Sequence, residues 1–229
     1  MSFSTLSFTR DAATAHLMAR QPTTELILRL AEVDASIALA SSSPAGPPAM
    51  EELITAGGRA AVFVNYVTPN YFTLLRIPLR GRTLRPQGGE AVVSDRFATE
   101  HLGPGDPVGR ALRIGSVLGG DHEVMVVGVV PDTHSLSPRG DAVPLLYLAA
   151  TEVRHVQAAL SPARSAGAMQ AALSDVLSRP GVRVAPPRPL RSLAEDAFAI
   201  ERIEAWVLAG QGLACCCWRY TVPSLRFAR

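Results

Sequence analysis

Alternating apolar and polar positions predict a strand-rich chain, because successive side chains of a strand point to opposite faces. In the first half alternation predicts a strand at Ala60–Val67, and the short apolar run Ser36–Ala40 predicts another. In the middle, runs rich in valine and leucine lie between Gly, Pro and Asp turns. These runs predict four more strands, at Ala91–Val93, Ala111–Ile114, Val124–Val130 and Leu145–Leu148.

Helical spacing of apolar residues appears on both sides of this strand-rich part. It predicts a helix over Pro22–Val33, whereas Met1–Gln21 has little periodicity and is predicted to be a loose terminus. Ser41–Pro48 has the composition of a turn or linker. After residue 150 strands and helices are predicted to alternate as βαβα, at His155–Leu160, Ser165–Leu177, Val182–Ala185 and from about Ser192. This order suits an α/β layer with a right-handed crossover, provided that its strands are parallel.

The segment Asn65–Arg82 is the most informative part of the chain. Thr68 is a favourable N-cap for a short helix, and Pro69 suits the first helical position. The helix is predicted to bury one apolar face, to stop at Pro78 and to lead into a sharp turn at Gly81. Its apolar face consists of Tyr71, Phe72, Leu74 and Leu75.

This segment resembles the "V-(S/T)-P-x-Y-F-x-x-L-x-I-P-L-x-x-G-R" motif of the periplasmic core domain of MacB/FtsX-type ABC-transporter permeases. Four further segments resemble that family in the same order, across roughly residues 60–150. They are Ala91–Ala98, His101–Ile114, Glu123–Asp132 and Val143–Leu148.

The resemblance implies an α+β fold with two lobes of mixed α/β structure. Residues 22–66 and 145–195 would form a porter-like βαβα layer, and residues 67–144 an inserted, smaller β-rich subdomain. The positions that match the family's motifs are expected to be structural: Thr68, Pro69, Tyr71, Phe72, Pro78, Gly81, Arg82, Gly105, Asp106, Pro107, Gly109 and Gly128.

The resemblance also implies a non-enzymatic domain on the periplasmic face of the cell inner membrane. There it would pass conformational change between membrane helices and substrate or partner proteins. The implied partners are an ABC ATPase subunit, reached through the membrane part of the intact protein, and other permease copies or periplasmic proteins. No cofactor is implied.

Composition narrows the possible activities of the chain itself. All 22 basic residues are arginine, so no Walker A, kinase-type or Schiff-base lysine exists in the sequence. The chain therefore cannot be the ATPase of a transporter. A formal net charge of +2 is too small to indicate a nucleic-acid partner.

Cysteines occur only as Cys215–Cys217, which matches neither a disulfide framework nor a zinc spacing. The first 20 residues lack the apolar core of a signal peptide. In the family, the helix that begins near Ser192 continues into the membrane. Here we expect a stem helix over 192–214, and the apolar run Ala205–Cys217 spans about 13 residues, fewer than the ~20 needed to cross a bilayer. Residues 215–229 form a divergent tail, compatible with a frameshift, a truncation or natural divergence.

Candidate chemistry elsewhere in the sequence is weak. A hairpin that brought His122 and His134 together with Asp121 and Asp132 could hold a metal, but solvated turn residues are the favoured interpretation. The acidic pairs Glu51-Glu52 and Glu195-Asp196 are interpreted as solvated faces.

Other residues with a chemical interpretation are assigned structural roles. Ser94 has no evident histidine partner, and Gly128 is predicted to be a close-packing point within its strand. Gly103–Pro107 is predicted to be a rigid turn, since its prolines remove the backbone donors that a phosphate would need. Two rival interpretations remain open: a soluble binding protein or hydrolase with an unrecognised pocket, and a truncated gene product without function.

Overall fold

The computed structural model describes residues 13–19, 36–42, 48–116, 120–132, 142–150, 158–161, 167–169, 171, 182–184, 186 and 188–189. Within these residues lie twelve strands, two short helices, a further helical piece at residues 167–169 and 171, and a single π-helical turn at Ala98–Leu102. The strands are β1 (Ala13–Ala19), β2 (Ala38–Ala40), β3 (Ala49–Thr55), β4 (Gly58–Val67), β5 (Arg80–Gly81), β6 (Glu90–Ser94), β7 (Ala111–Ser116), β8 (Gly120–Val130), β9 (Leu145–Ala149), β10 (Ala158–Ser161), β11 (Val182–Val184) and β12 (Arg188–Pro189). The helices are α1 (Tyr71–Leu74) and α2 (Asp95–Phe97).

Six of the strands form a closed ring, which we call the barrel. Strand β4 pairs with β3 on one side and, in parallel, with β9 on the other. The ring continues from β3 through β7, β8 and β6 back to β9. Closure satisfies the backbone of every wall strand and leaves no free sheet edge within the ring.

Apolar side chains fill the inside of the barrel. Inward positions alternate along each strand, as in Val62, Val64 and Tyr66 of β4. The other members of this inner cluster are Leu53, Ala91, Val93, Phe97, Leu112, Ile114, Val124, Val126, Val129, Leu146 and Leu148.

A second apolar cluster lies on the outer wall of the barrel, beneath α1 and the segment that follows it. The wall contributes the outward side chains Val92, Val127, Val130, Leu145 and Tyr147. The covering layer contributes Tyr71, Phe72, Leu75 and Leu84, and β2 contributes Ala38 and Ala40. We call this cluster the outer core, and α1, the motif helix of the Asn65–Arg82 segment, covers it.

Strand β5 pairs with β8 of the barrel, and the other five strands form a side sheet, in the order β11-β1-β10-β2, with β12 also paired to β1. Strands β10 and β11 both run antiparallel to β1 and therefore run parallel to each other. The side sheet meets the barrel where β2 pairs with the end of β4, at Ala40 and Val67.

The fold confirms the mixed α/β character and the strand-rich centre, but it differs from the predicted boundaries. β1 pairs with β10, β11 and β12, so part of the terminus expected to be loose is tied into a sheet. Strands β3, β4 and β9 belong to the same ring as β6–β8, so residues 67–144 are not a separate insert. The long-range pairs that close the ring leave no local pattern in the sequence.

Several predicted elements lie outside the described residues. They include the Pro22–Val33 helix, the stem helix over 192–214, the tail over 215–229 and the pair Glu195-Asp196. Residues 167–169 and 171 are helical, as predicted for Ser165–Leu177. Strand β3 was missed, because its acidic residues conceal the alternation of the apolar ones.

Candidate functional site: the motif helix and its supports

Helix α1 packs its aromatic residues onto the barrel wall. Tyr71 is 2% exposed and Phe72 is 1% exposed. The Phe72 ring meets the Tyr147 ring edge-on at 5.1 Å between centroids, and it meets the Tyr71 ring at 5.5 Å. Burial raises the pKa of Tyr71 well above its ordinary value of 10.0, with a smaller contribution from Tyr147. The hydroxyl therefore stays neutral throughout the physiological range.

The N-terminus of α1 differs from the prediction that Thr68 is its N-cap. The helix begins after Asn70, whose side chain makes no capping bond, and Pro69 lies in the preceding turn. Thr68 closes that turn with its backbone carbonyl, which accepts from the Tyr71 N–H at 3.0 Å. Its hydroxyl is engaged elsewhere, because it accepts from the Leu39 N–H of β2 at 3.0 Å. Thr68 thus joins α1 to the side sheet instead of capping the helix.

The end of α1 also differs from the prediction. The Ile77 N–H donates to the Phe72 carbonyl at 2.8 Å, and the Arg76 N–H donates to the Thr73 carbonyl at 3.1 Å. This is the Schellman pattern, and Arg76 occupies its left-handed position with φ of 54°. The helix therefore ends before Pro78, through a residue type that pays a steric cost in that conformation.

Gly81 and Gly128 lie opposite each other where β5 pairs antiparallel with β8. A Cβ on Gly81, which has φ of +100°, would lie 2.4 Å from the Val127 carbonyl oxygen. A Cβ on Gly128 would lie 2.8 Å from the Arg82 carbonyl oxygen and from Leu79 Cδ1. The register of β8 against β6 skips Val127 at this point, which marks a bulge. Both glycines thus permit a close backbone crossing, as predicted for Gly128.

Arg82 makes a two-pronged ion pair with Glu90, a partner that the sequence analysis missed. The Arg82 guanidinium donates to the two Glu90 oxygens at 2.7 and 2.5 Å, and the Arg85 N–H donates to Glu90 Oε2 at 2.9 Å. Because Glu90 is only 7% exposed, these bonds replace its lost hydration. The Arg82 hydrogen bond is the main cause that holds the pKa of Glu90 below its ordinary value of 4.5.

This ion pair closes the segment between Gly81 and β6. The Thr83 hydroxyl donates to the Pro69 carbonyl at 2.6 Å, so the closed segment is bonded to the turn that precedes α1. Leu84, 2% exposed, points into the outer core. Arg82 and Glu90 therefore fix the cover of the barrel wall.

The segment Gly103–Arg110 is held by Arg110, another residue that the sequence analysis did not single out. Its guanidinium donates to the carbonyl oxygens of Leu102, Pro104 and Asp106. Asp106 Oδ1 accepts from the Val108 N–H at 3.2 Å, which forms an Asx turn. The segment is a turn, as predicted, and its carbonyls accept hydrogen bonds from an arginine of the chain itself.

The glycines and the proline of this loop serve its shape. Gly105 and Gly109 have φ of 105° and 87°, values that favour glycine. A Cβ on Gly105 would lie 2.8 Å from Arg110 Nη2. Pro107 is buried, and the Gly109 N–H donates to the Val126 carbonyl at 2.8 Å, which docks the loop on β8.

The two aspartates considered as metal ligands do not come together. Asp121 lies at the start of β8 and Asp132 two residues beyond its end, and β8 is a single strand and not a hairpin, so the two carboxylates cannot bind one ion. Asp121 instead pairs with Arg113 at 3.2 Å, and Asp132 accepts from the Arg96 N–H at 2.7 Å. His134 lies outside the described residues, within which no group of three or more His, Cys, Asp and Glu residues could hold a metal.

The remaining candidates have structural partners. Glu52 pairs with Arg59 at 2.7 Å on the exposed face of β3, as expected of a solvated residue. Glu51 differs from that expectation, because its Oε1 accepts from the Tyr66 hydroxyl at 3.0 Å on the inward face. The Ser94 hydroxyl oxygen accepts from the N–H groups of Phe97 and Leu145, both at 3.1 Å, and so caps α2.

Over the part of the chain that the structure describes, no helix is both long and apolar enough to span a membrane.

Comparisons with known proteins agree with the geometry. The MacB-like periplasmic core domain family matches residues 2–176 of the chain. The periplasmic region of MacB from Actinobacillus actinomycetemcomitans has a similar fold, with a TM-score of 0.54 at 13% identity over 80% of this chain and 92% of that one. The extracellular domain of the noncanonic ABC-type transporter YknZ from Gram-positive bacteria gives a TM-score of 0.50 at 14% identity, over 75% and 99% of the two chains. Among curated proteins none matches.

Proposed function

Since this chain belongs to the MacB-like periplasmic core domain family, we propose that it relays conformational change between the membrane helices of an ABC permease and periplasmic partner or substrate proteins. The family match over residues 2–176 carries this proposal, and it identifies the chain as the periplasmic domain of a transporter permease. In this proposal the domain is non-catalytic. Its proposed partners are an ABC ATPase subunit, reached through the permease's membrane part, and further permease copies or periplasmic proteins.

The arrangement of the fold supports a mechanical role. A relay needs stiff bodies, since a soft body dissipates a displacement before it reaches the far side. The barrel is a closed ring with apolar clusters on both faces of its wall. Three contacts hold its cover in place, and each includes a residue that matches the family's motifs: the Gly81–Gly128 pairing, the Arg82–Glu90 ion pair and the Gly103–Arg110 loop.

The proposal is tested in the full-length permease, reconstituted with its ATPase in lipid nanodiscs. Cys215–Cys217 are replaced by serine, and a spin label is attached at Glu123→Cys, an exposed position on β8. A second label is placed at the periplasmic end of a membrane helix. We expect the distance between the labels to change between the nucleotide-free and ATP-bound states, while a control pair within the barrel, at Thr99 and Glu123, stays constant. An unchanged distance in a transporter that still hydrolyses ATP contradicts the relay.

The proposal that a separate subunit, and not this domain, binds ATP has its own test. Because the chain has no lysine, it lacks the residue that grips the nucleotide phosphates in a Walker A site. We expect isothermal titration calorimetry of the purified domain to show no saturable ATP binding at micromolar concentration. Saturable binding would require a nucleotide site of another kind and would contradict the assignment of ATP use to a separate subunit.

A further inference from the structure

The joint between the barrel and the side sheet is the β2–β4 seam, in which residues 37–42 lie against residues 65–70. It is the one strand pairing that links the two within the described part of the chain. Two backbone hydrogen bonds cross it beside the register pair. The Ser41 N–H donates to the Tyr66 carbonyl at 2.8 Å, and the Thr68 N–H donates to the Leu39 carbonyl at 3.0 Å.

Side-chain hydroxyls replace backbone carbonyls at both of these pairs. In a regular antiparallel ladder each hydrogen-bonded pair exchanges two N–H···O=C bonds. In the seam the second bond of each pair goes to a hydroxyl oxygen. The Leu39 N–H donates to Thr68 Oγ1 at 3.0 Å, and the Tyr66 N–H donates to Ser41 Oγ at 3.0 Å.

Two asparagine side chains extend the seam beyond its backbone bonds. Asn65 imitates a peptide group: its Oδ1 accepts from the Ser42 N–H at 3.2 Å, and its Nδ2 donates to the Ser42 carbonyl at 3.2 Å. At the other end, Asn70 Nδ2 donates to the Ile37 carbonyl at 2.9 Å, while Asn70 Oδ1 accepts from the Thr68 hydroxyl at 2.6 Å.

The side chains of Ser41, Asn65 and Thr68 are shielded from water, so their hydrogen bonds to each other and to the backbone determine how the strands meet. Asn65 and Thr68 are each 3% exposed. Buried polar groups must be bonded, and removal of one partner leaves the other with an unmet desolvation cost. A displacement of β2 along β4 would break several of these bonds at once, because each depends on a particular side-chain rotamer and position.

We propose that Asn65, Thr68 and Asn70 form a polar latch on residues 37–42 that sets the orientation of the side sheet relative to the barrel. The latch deepens the proposed function, because a relay requires that a displacement of one section move the other. It is independent of that function in its test, which uses the domain alone. Failure of the latch leaves the nucleotide-dependent distance change in the transporter untouched, and the reverse also holds.

The test measures the distance between the two sections by pulsed electron paramagnetic resonance. Labels are placed at Gly167→Cys, in the β10–β11 connection, and at Glu123→Cys on the barrel, with Cys215–Cys217 replaced by serine. A side chain at Gly167 meets nothing within 4 Å. The test variant combines Asn65→Ala with Thr68→Val, and the control variant, Gln87→Ala, removes an exposed amide. A second label pair, Thr99→Cys and Glu123→Cys, reports on the barrel alone.

We expect a narrow Gly167–Glu123 distance distribution in the parent and in Gln87→Ala. In the test variant we expect that distribution to broaden at least twofold, while the Thr99–Glu123 distribution keeps its width. An unchanged Gly167–Glu123 width overturns the latch. Broadening of both distributions also overturns it, because the side chains would then support the whole fold and not an orientation. If the double variant does not fold, Ser41→Ala removes a single hydroxyl of the seam and is judged by the same two outcomes.

Discussion

The barrel and the β2–β4 seam are held together by different chemistry. In the barrel wall, β4 and β9 pair in continuous register from Phe63 with Leu145 to Val67 with Ala149, and apolar side chains lie on both faces. In the seam, one register pair is present, and hydroxyl and amide groups supply most of the hydrogen bonds.

The contrast indicates that the closed ring makes the barrel stiff, whereas the seam sets the orientation of the side sheet relative to it. In a closed backbone ladder the hydrogen bonds that join the strands run between main-chain groups, so they do not depend on the polar group of any one side chain. A seam of side-chain bonds depends on each of its members, since one truncation leaves a buried partner unmet. The V-T-P-N-Y-F motif lies where the two meet, because its polar residues form the seam and its aromatic residues cover the barrel.

The largest expected effect comes from the aromatic layer that both regions share. Phe72→Ala should lower the free energy of unfolding by about 3–5 kcal/mol, because Phe72 is buried between the barrel wall, β2 and Tyr147. Urea denaturation checks this value against Thr73→Ala, an exposed position on the same helix. A loss of the same small size in both variants would show that the aromatic layer does not bind the two regions together.

The next effect arises where β5 and its neighbouring residues lie against strand β8 of the barrel wall. Gly128→Ala should cost about 1–3 kcal/mol, since its Cβ would lie 2.8 Å from a backbone carbonyl oxygen that cannot move aside. Gly115→Ala is the matched control, because the nearest atom to its Cβ, at 3.0 Å, is the end of the flexible Arg59 side chain. Equal losses at both glycines in denaturant titration would contradict the close crossing of β5 and β8.

A substitution in the Arg82–Glu90 ion pair tests the covering segment separately from the barrel wall. Glu90→Gln should cost about 1–3 kcal/mol at pH 7, because it weakens charge-assisted hydrogen bonds to a nearly buried group. Glu123→Gln, exposed on β8, is the control and should change stability little.

The pH dependence of that pair follows from the lowered pKa of Glu90. A carboxyl with a depressed pKa in the folded state stabilises fully above its unfolded value of 4.5, and this contribution is lost as the pH falls through the folded pKa. The stability gap between wild type and Glu90→Gln should therefore be constant above about pH 5 and should shrink below pH 4.5. A gap of constant size down to pH 3 would rule out the ionised pair as its source.

The smallest effect is a difference in stability between two variants of Arg76, at the C-terminal end of α1. Arg76→Gly should be about 0.5–1 kcal/mol more stable than Arg76→Ala, because only glycine adopts the left-handed conformation of this position without strain. Thermal denaturation of the two variants measures the difference directly. If alanine proves the more stable of the two, the helix does not end through a left-handed residue.

The sequence predicted features whose causes are local. Alternation located β4, apolar runs between Gly, Pro and Asp turns located β6, β7, β8 and β9, and apolar spacing located the buried face of α1. Gly128 was correctly predicted to be a close-packing point, since a glycine within an apolar strand has few other structural explanations.

Features that depend on distant partners were missed or misassigned. Thr68 has the residue type of an N-cap, but its hydroxyl accepts a hydrogen bond from the N–H of Leu39, which lies 29 residues away in β2. The pairing of β1 with β10 joins Ala13 to Ser161, and no periodicity near Ala13 signals it. Such pairings depend on which strands find each other, a property of the whole chain and not of a sequence window.

Residue-resolved hydrogen exchange tests the contrast between barrel and seam most directly. It is measured on wild type and on the variant that combines Asn65→Ala with Thr68→Val. In wild type we predict that the Leu39 and Ser42 amides, which donate to the two latch side chains, are protected. In the variant they should exchange rapidly, while the amides of Val64 and Leu146 in the barrel wall keep their protection. Loss of protection in the wall as well, or retained protection at Leu39 and Ser42, would contradict the account.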